Sequence, residues 1–243
     1  MSEGGRLLCI GDVHGCVREL SRLLDALALT DADRVVFLGD YIDRGDAAAQ
    51  TVDLLLELRR ALPATIFLRG NHEEMLLGFL GFGGSRGDVF VRAGGAATLR
   101  SYGVEPEGPR PDEVLRTRMS DDHAGFFREG LVLTHCEGPW AFVHAGVRPG
   151  VALCDQVADD LLWIREEFLS RAHGLDHTVL YGHTPQRDVQ FSPARRIGLD
   201  TGCIYGGRLS ALDLTGGRLH QVRRGTAEVT VRDVADEIAG TLA

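Results

Sequence analysis

Three short apolar runs each end in a glycine-bounded polar cluster, and this repetition constrains the fold more than any other feature of the chain. Leu7–Ile10 runs into Gly11-Asp12-Val13-His14-Gly15. Val35–Leu38 runs into Gly39-Asp40-Tyr41-Ile42-Asp43-Arg44-Gly45, and Thr65–Leu68 leads into Gly70-Asn71-His72-Glu73. Between the runs lie helical spacings: Val17, Leu20, Leu23, Leu24 and Leu27, then Val52, Leu55, Leu56 and Leu62, with a third helix predicted from Glu73 to Leu80. Strand and helix alternating in this way predict βαβ units, an α/β class and a largely parallel sheet. Ligands of such sheets bind outside the carboxyl ends of the strands, so the three clusters converge on one crevice.

The remainder extends this pattern. Trp140–His144, Thr178–Tyr181 and Ile197–Leu199 read as further strands, and Leu209–Leu214 with Leu219–Val222 reads as a hairpin around Gly216-Gly217. Residues 81–122 read as a loop-rich insertion, with a flexible Gly-rich loop at 81–87 and three Pro between 102 and 111. Val231, Val234, Ala235 and Ile238 predict a C-terminal helix over about 229–242. Nothing divides residues 1–243, which read as one catalytic domain long enough to bury a core unaided.

Charge and composition exclude several function classes. The net charge is −9 without a like-charge block, which argues against nucleic acid as a partner. All 26 cationic residues are Arg, so a Walker A lysine, a Schiff base and a pyridoxal phosphate anchor are ruled out. The five Cys are odd in number and form no C-x-x-C pair, the usage of reduced thiols. With no basic leader before an apolar stretch and no apolar run of membrane length, the expectation is a cytoplasmic protein without a membrane partner. The oligomeric state is not legible.

The cluster residues suit a metal pair. Asp12 and His14 can be presented by one strand end, Asp40 can bridge two ions through its two oxygens, and Asn71 offers a neutral oxygen. His144 in Phe-Val-His-Ala-Gly and His183 in Tyr-Gly-His-Thr-Pro follow later apolar runs. A mixed N/O donor set lacking thiolate suits Mn²⁺, Fe or Zn²⁺ better than a structural zinc site.

GDVHG, GDYIDRG and GNHE in this order, with the later HAG and YGHTP segments, resemble the phosphoprotein phosphatase family of metallophosphoesterases over residues 7–214. The resemblance implies a metallophosphatase fold, a two-sheet β-sandwich flanked by helices around a βαβαβ metal-binding core. It implies two divalent ions, most simply Mn²⁺, one held by Asp12, His14 and Asp40, the other by Asp40, Asn71, His144 and His183. It further implies a water between the ions as nucleophile, His72 as general acid supported by Asp43, and Arg44, Asn71 and Arg165 as phosphate contacts. The second and third motifs resemble the short bacterial serine/threonine protein phosphatases. The symmetrically cleaving bacterial diadenosine tetraphosphate hydrolases share the first motif but lack Tyr-Ile-Asp in the second and carry Asp for Glu in the third. The expectation is therefore a phosphomonoesterase acting on phosphoprotein, with a dinucleoside polyphosphate hydrolase as the alternative and a catalytically silent metal-binding protein behind both. The segment Gly94-Gly95 to Thr98-Leu99 to Tyr102-Gly103 also resembles bacterial members, with Ala93 where many have Asn.

Other residues have plainer readings. Glu73 reads as a first-turn acid at a helix N-terminus. His123, His135, His173, His177 and His220 read as structural or exposed. Cys9 and Cys203 read as small core residues in strands, and Cys16 as packing at a helix start.

Overall fold

Alternate side chains of the first strand, β1 (Leu7–Ile10), enter two different cores. Leu8 and Ile10 pack under a helical layer with Leu20 and Leu23 of α1 (Val17–Leu27), while Leu7 and Cys9 face a second sheet and meet Phe142 and Leu180. β2 (Arg34–Phe37) divides the same way, Val35 and Phe37 to the helices and Val36 to the sheet interface. Burial on both faces is why these strands read as continuous apolar runs. The structure, a computed structural model, describes residues 5–242.

β1 pairs in parallel with β2, and β2 with β3 (Ile66–Phe67), connected through α1 and α2 (Ala48–Ala61). α3 (Asn71–Phe79) follows β3 directly. The second sheet holds β4 (Thr134–Glu137), β5 (Trp140–Val143), β6 (Thr178–Tyr181), β7 (Gln190–Ser192) and β8 (Arg196–Gly198) in the order 4-5-6-8-7. β5, β6 and β8 are parallel, and the edges are antiparallel. α7 (Ala158–Trp163) and α8 (Glu166–Ser170) cover its outer face through Leu161 and Phe168. The chain then returns to the first sheet as β9 (Arg208–Asp213), β10 (Arg218–Arg223) and β11 (Val229–Asp233), giving the order 11-10-9-1-2-3. This is the two-sheet α/β metallophosphatase architecture that the motifs implied.

Two segments differ from their sequence reading. Residues 81–122 are largely helical: α4 (Ala96–Ser101) and α5 (Pro111–Arg118) lie within them, and α6 (Asp121–Glu129) begins there. Their helices are short, and single anchors such as Leu99 and Leu115 hold them to the core, too few to create a periodic signal. The Gly-rich run packs on α3, Ser85 donating its N–H to Glu74 at 2.9 Å. At the C-terminus, the helix expected from 229 starts only at Ala235, as α9 (Ala235–Leu242). Val229–Asp233 is a strand because the edge of β10 offers it a full ladder of partners and its valines fit a sheet. Among the described residues no helix is long and apolar enough to cross a membrane.

Candidate active site

The six parallel strands, three per sheet, end at one crevice. The turn after β1 supplies Asp12 and His14, that after β2 supplies Asp40, Asp43 and Arg44, and β3 leads to Asn71 and His72. His144 follows β5, His183 follows β6, and Asp200 follows β8. The turns are strained. Five of the nine described non-glycine residues with positive φ are His14, Asp40, Asp43, Arg44 and His183. Each such residue costs about 1–2 kcal/mol, so neighbouring bonds must hold it. Glu73 does this for the second motif: its carboxylate accepts the N–H groups of Asp40 (2.9 Å), Tyr41 (2.8 Å) and Gly70 (2.9 Å). It is fully buried, so the reading of Glu73 as a simple first-turn acid understates it; it ties two motif loops together.

The donor atoms converge. Asp40 Oδ2 lies 3.4 Å from His14 Nε2, and Asp40 Oδ1 lies 3.4 Å from His144 Nε2. Two donors sharing an ion at about 2.1 Å sit about 3–3.5 Å apart, so each oxygen of Asp40 faces a different histidine at ligand spacing. Asn71 Oδ1 is 2.9 Å from His144 Nε2 and 2.8 Å from His183 Nδ1. His14 and His144 direct Nδ1 at the carbonyls of Ile42 and Leu38, both at 2.8 Å, which leaves each Nε2 lone pair facing the crevice. Asp12 accepts the His183 N–H at 3.0 Å through Oδ2, while its Oδ1 is buried without a hydrogen-bond partner. A Cβ on Gly182 would fall 2.0 Å from that orphan oxygen, so only glycine fits there.

Electrostatics match the geometry. Burial pushes the His14 pKa down to about 3 and that of His183 to about 2, and lowers that of His144, so these rings are neutral donors. Burial, with Asp200 and Asp40 nearby, holds the Asp12 carboxyl well above the ordinary range. Three buried carboxylates, neutral imidazoles and an orphaned oxygen form a donor set that divalent cations would complete. His14, Asp40 and His72 offer atoms within 4.8 Å of one another, as do Asp40, His144 and His183.

His72 is differently placed. Its Nδ1 meets Asp43 Oδ2 at 2.6 Å, and the other Asp43 oxygen accepts the Thr98 hydroxyl at 2.5 Å. Burial opposes an imidazolium here, but Asp40 and Asp43 outweigh it and raise the His72 pKa. Arg44 reaches His14 Nε2 and is otherwise exposed over the crevice. Arg165 is brought to the site as well: its Nε donates to His183 Nε2 at 3.0 Å. All the sequence-predicted site residues therefore meet in one crevice.

Two site residues escaped the sequence reading. Asp200 follows β8 in Leu-Asp-Thr-Gly, an acid just past a strand end as in the first two motifs, and burial raises its pKa to about 6. Thr98 lies in the segment that resembles bacterial family members, but the sequence reading gave it no role. Gly94 in the same segment holds Arg44 through its carbonyl, at 3.1 Å from Arg44 N. Ala93 plays no part in that contact. Cys203 proved to lie, itself buried, in a 3₁₀ turn rather than a strand.

Comparisons with known proteins give the family. The model of the calcineurin-like phosphoesterase family matches residues 5–207. A bis(5'-nucleosyl)-tetraphosphatase PrpE [asymmetrical] of Geobacillus thermodenitrificans is 29% identical over 84% of this chain and 88% of its own length. A solved structure provisionally assigned to a diadenosine tetraphosphatase aligns with a TM-score of 0.64 at 24% identity, over 92% of this chain and 95% of that one. A cold-active protein-tyrosine phosphatase of a Shewanella species aligns with the same TM-score at 17% identity, over 94% and 80%. With its two-sheet fold, its convergent Asp and His donors and a family match over most of its length, the chain belongs to the calcineurin-like phosphoesterases, metal-dependent hydrolases of phosphate esters.

Proposed function

We propose that the chain hydrolyses dinucleoside polyphosphates, cleaving a P–O bond of the polyphosphate bridge with addition of water. The observation that carries the substrate class is the likeness, over 84% of the chain, to proteins named bis(5'-nucleosyl)-tetraphosphatase. Two of the residues that favoured the protein phosphatase reading, Tyr41 and Glu73, lie away from the crevice. Tyr41 is buried, its hydroxyl bonded to the Leu68 carbonyl at 2.7 Å, and Glu73 faces backbone N–H groups. Neither side chain faces the crevice where a substrate would discriminate.

In this proposal Asp12, His14 and Asp40 hold one cation, and Asp40, Asn71, His144 and His183 hold the second. When bound, the cations supply charge neutralisation and a water acidic enough to attack phosphorus. Arg44 and Arg165 grip the phosphoryl oxygens, and bidentate guanidinium suits that task. His72 delivers a proton from Nε2 to the departing oxygen while Asp43, steadied by Thr98, holds Nδ1–H. A silent metal-binding protein would not need this second relay, so its completeness supports an enzyme.

The test is a side-by-side assay of the Mn²⁺-loaded protein on diadenosine tetraphosphate and a phosphoserine peptide, with nucleotide products resolved by chromatography. We expect the higher kcat/KM on the dinucleotide. The opposite order would return the chain to the phosphoprotein reading.

A further inference from the structure

We infer that the cavity beside Tyr205 is a nucleoside subsite, in which a nucleobase stacks on the Tyr205 ring and the attached phosphates meet Arg187 and Arg223. The inference rests on the dinucleoside polyphosphate reading above and adds the place where the nucleotide is recognised. The cavity, of about 380 Å³, is walled by Pro185, Arg187, Gly202, Tyr205, Arg208 and Arg223 among others. It adjoins the catalytic crevice, because its walls continue the same two loops that carry His183 and Asp200.

The local backbone explains why an aromatic ring stands exposed there. The 3₁₀ turn Cys203–Tyr205 tucks Cys203 into the core, and left-handed Gly202 (φ 64°) and Gly206 (φ 88°) bound it on either side. Tyr205 is thereby turned outward, 63% exposed, the sole aromatic among the exposed large apolar residues described. The exposed part of the ring offers a flat surface to a ligand, beside the Arg44 guanidinium that lies over it. Arg44, the proposed phosphoryl contact, lies 5.6 Å from the ring centroid. Tyr205 thus joins Arg44 to the cavity, into which the nucleoside end of a polyphosphate chain would extend.

The charge around the cavity fits the rest of such a ligand. A chain of net charge −9 repels polyanions in general, so an anionic ligand needs a local positive patch. Three arginines line this one cavity. Arg208 is engaged with Asp188 at 3.2 Å, whereas among the described residues neither Arg187 nor Arg223 makes an ion pair. Aromatic face plus free guanidinium is the combination that binds base and phosphate together without reading base identity.

The test uses the full metal-loaded chain and compares Tyr205→Ala and Tyr205→Phe with the unmodified protein. Equilibrium titration with a methylene-bridged, non-hydrolysable ATP analogue and with inorganic tripolyphosphate separates base from phosphate. We expect Tyr205→Ala to weaken the nucleotide about tenfold, within what one stacked base is worth, and tripolyphosphate far less. Tyr205→Phe should bind the nucleotide within about twofold of the parent, and Arg187→Ala should weaken both ligands. Nucleotide binding that is absent in the parent, unchanged in Tyr205→Ala, or weakened in step with tripolyphosphate would overturn the subsite. Failure of the parent to cleave diadenosine tetraphosphate would instead overturn the proposed reaction, because the binding titration stands apart from turnover.

Discussion

His72 and Asn71 are neighbours in sequence with opposite duties in the proposed site, and the structure separates them by what each atom faces. Asn71 Oδ1 sits between His144 and His183, whereas His72 spends Nδ1 on Asp43. His72→Asn should therefore retain bound metal and lower kcat by on the order of 10²–10⁴, the usual worth of a general acid. The loss should be largest for an alkyl phosphate such as phosphoserine and smaller for nitrophenyl phosphate, whose leaving oxygen needs less protonation. Metal analysis alongside kinetics checks this. Loss of metal, or equal damage to both substrates, would make His72 a ligand within its grouping with His14 and Asp40. Most of these residues were legible in the sequence, because each motif is local and glycine-bounded. The role of Thr98 was not, although its segment carried a family resemblance, because its partner Asp43 is 55 positions away.

At the scale of elements, α4 owes its place in the mechanism to that hydroxyl. Thr98→Val preserves shape but removes the bond to the Asp43 carboxylate. We expect kcat to fall roughly tenfold, about 1.4 kcal/mol, near the lower bound for a hydrogen bond to a charged group. Thr98→Ser should restore most of the rate, and an unchanged Thr98→Val rate would make the contact incidental. A second element contact concerns stability. Asp33, just before β2, accepts from Arg6 Nε (3.1 Å) and from the N–H groups of Arg6 (2.8 Å) and Thr30 (2.9 Å). The Arg6 bond, aided by those N–H groups, holds the Asp33 carboxyl below its ordinary range despite burial. A depressed folded-state pKa stabilises above the unfolded value of about 3.9 and loses that contribution as pH falls through the folded value. Because Arg6 is partly solvated, Asp33→Asn should cost about 1 kcal/mol at pH 7. Urea midpoints should show the gap narrowing below about pH 4; a gap that widens in acid would contradict the assignment.

For the whole molecule, the site is a seam between two sheets. Asp12, His14, Asp40 and Asn71 come from the first sheet, and His144 and His183 from the second. Cations bound there would tie the sheets together, so metal should stabilise as well as activate. Saturation at 100 times Kd is worth about 2.7 kcal/mol per site, which for a chain of this size raises Tm by on the order of 5–10 °C. Thermal melts of chelator-stripped protein titrated with Mn²⁺ check this, with phosphatase activity recovering over the same range. Full activity after verified metal removal would defeat the two-cation proposal. The sequence alone determined the α/β class and the parallel β1–β2–β3 pairing, because hydrophobic period and glycine-bounded turns act within a few residues of each other; the sheets themselves are mixed, since β9, β10 and β11 return antiparallel. It misjudged 81–122 and 229–234, where isolated anchors or a waiting sheet edge override weak local preference. Only the tertiary structure decided that Tyr41 bonds the Leu68 carbonyl and Glu73 the backbone of the second motif, that Asp200 and Thr98 lie at the site, and that Tyr205 stands beside Arg44. The physical reason is that burial, charge and hydrogen-bond partners at these positions come from strands and helices distant in sequence, brought together only when both sheets close on one core.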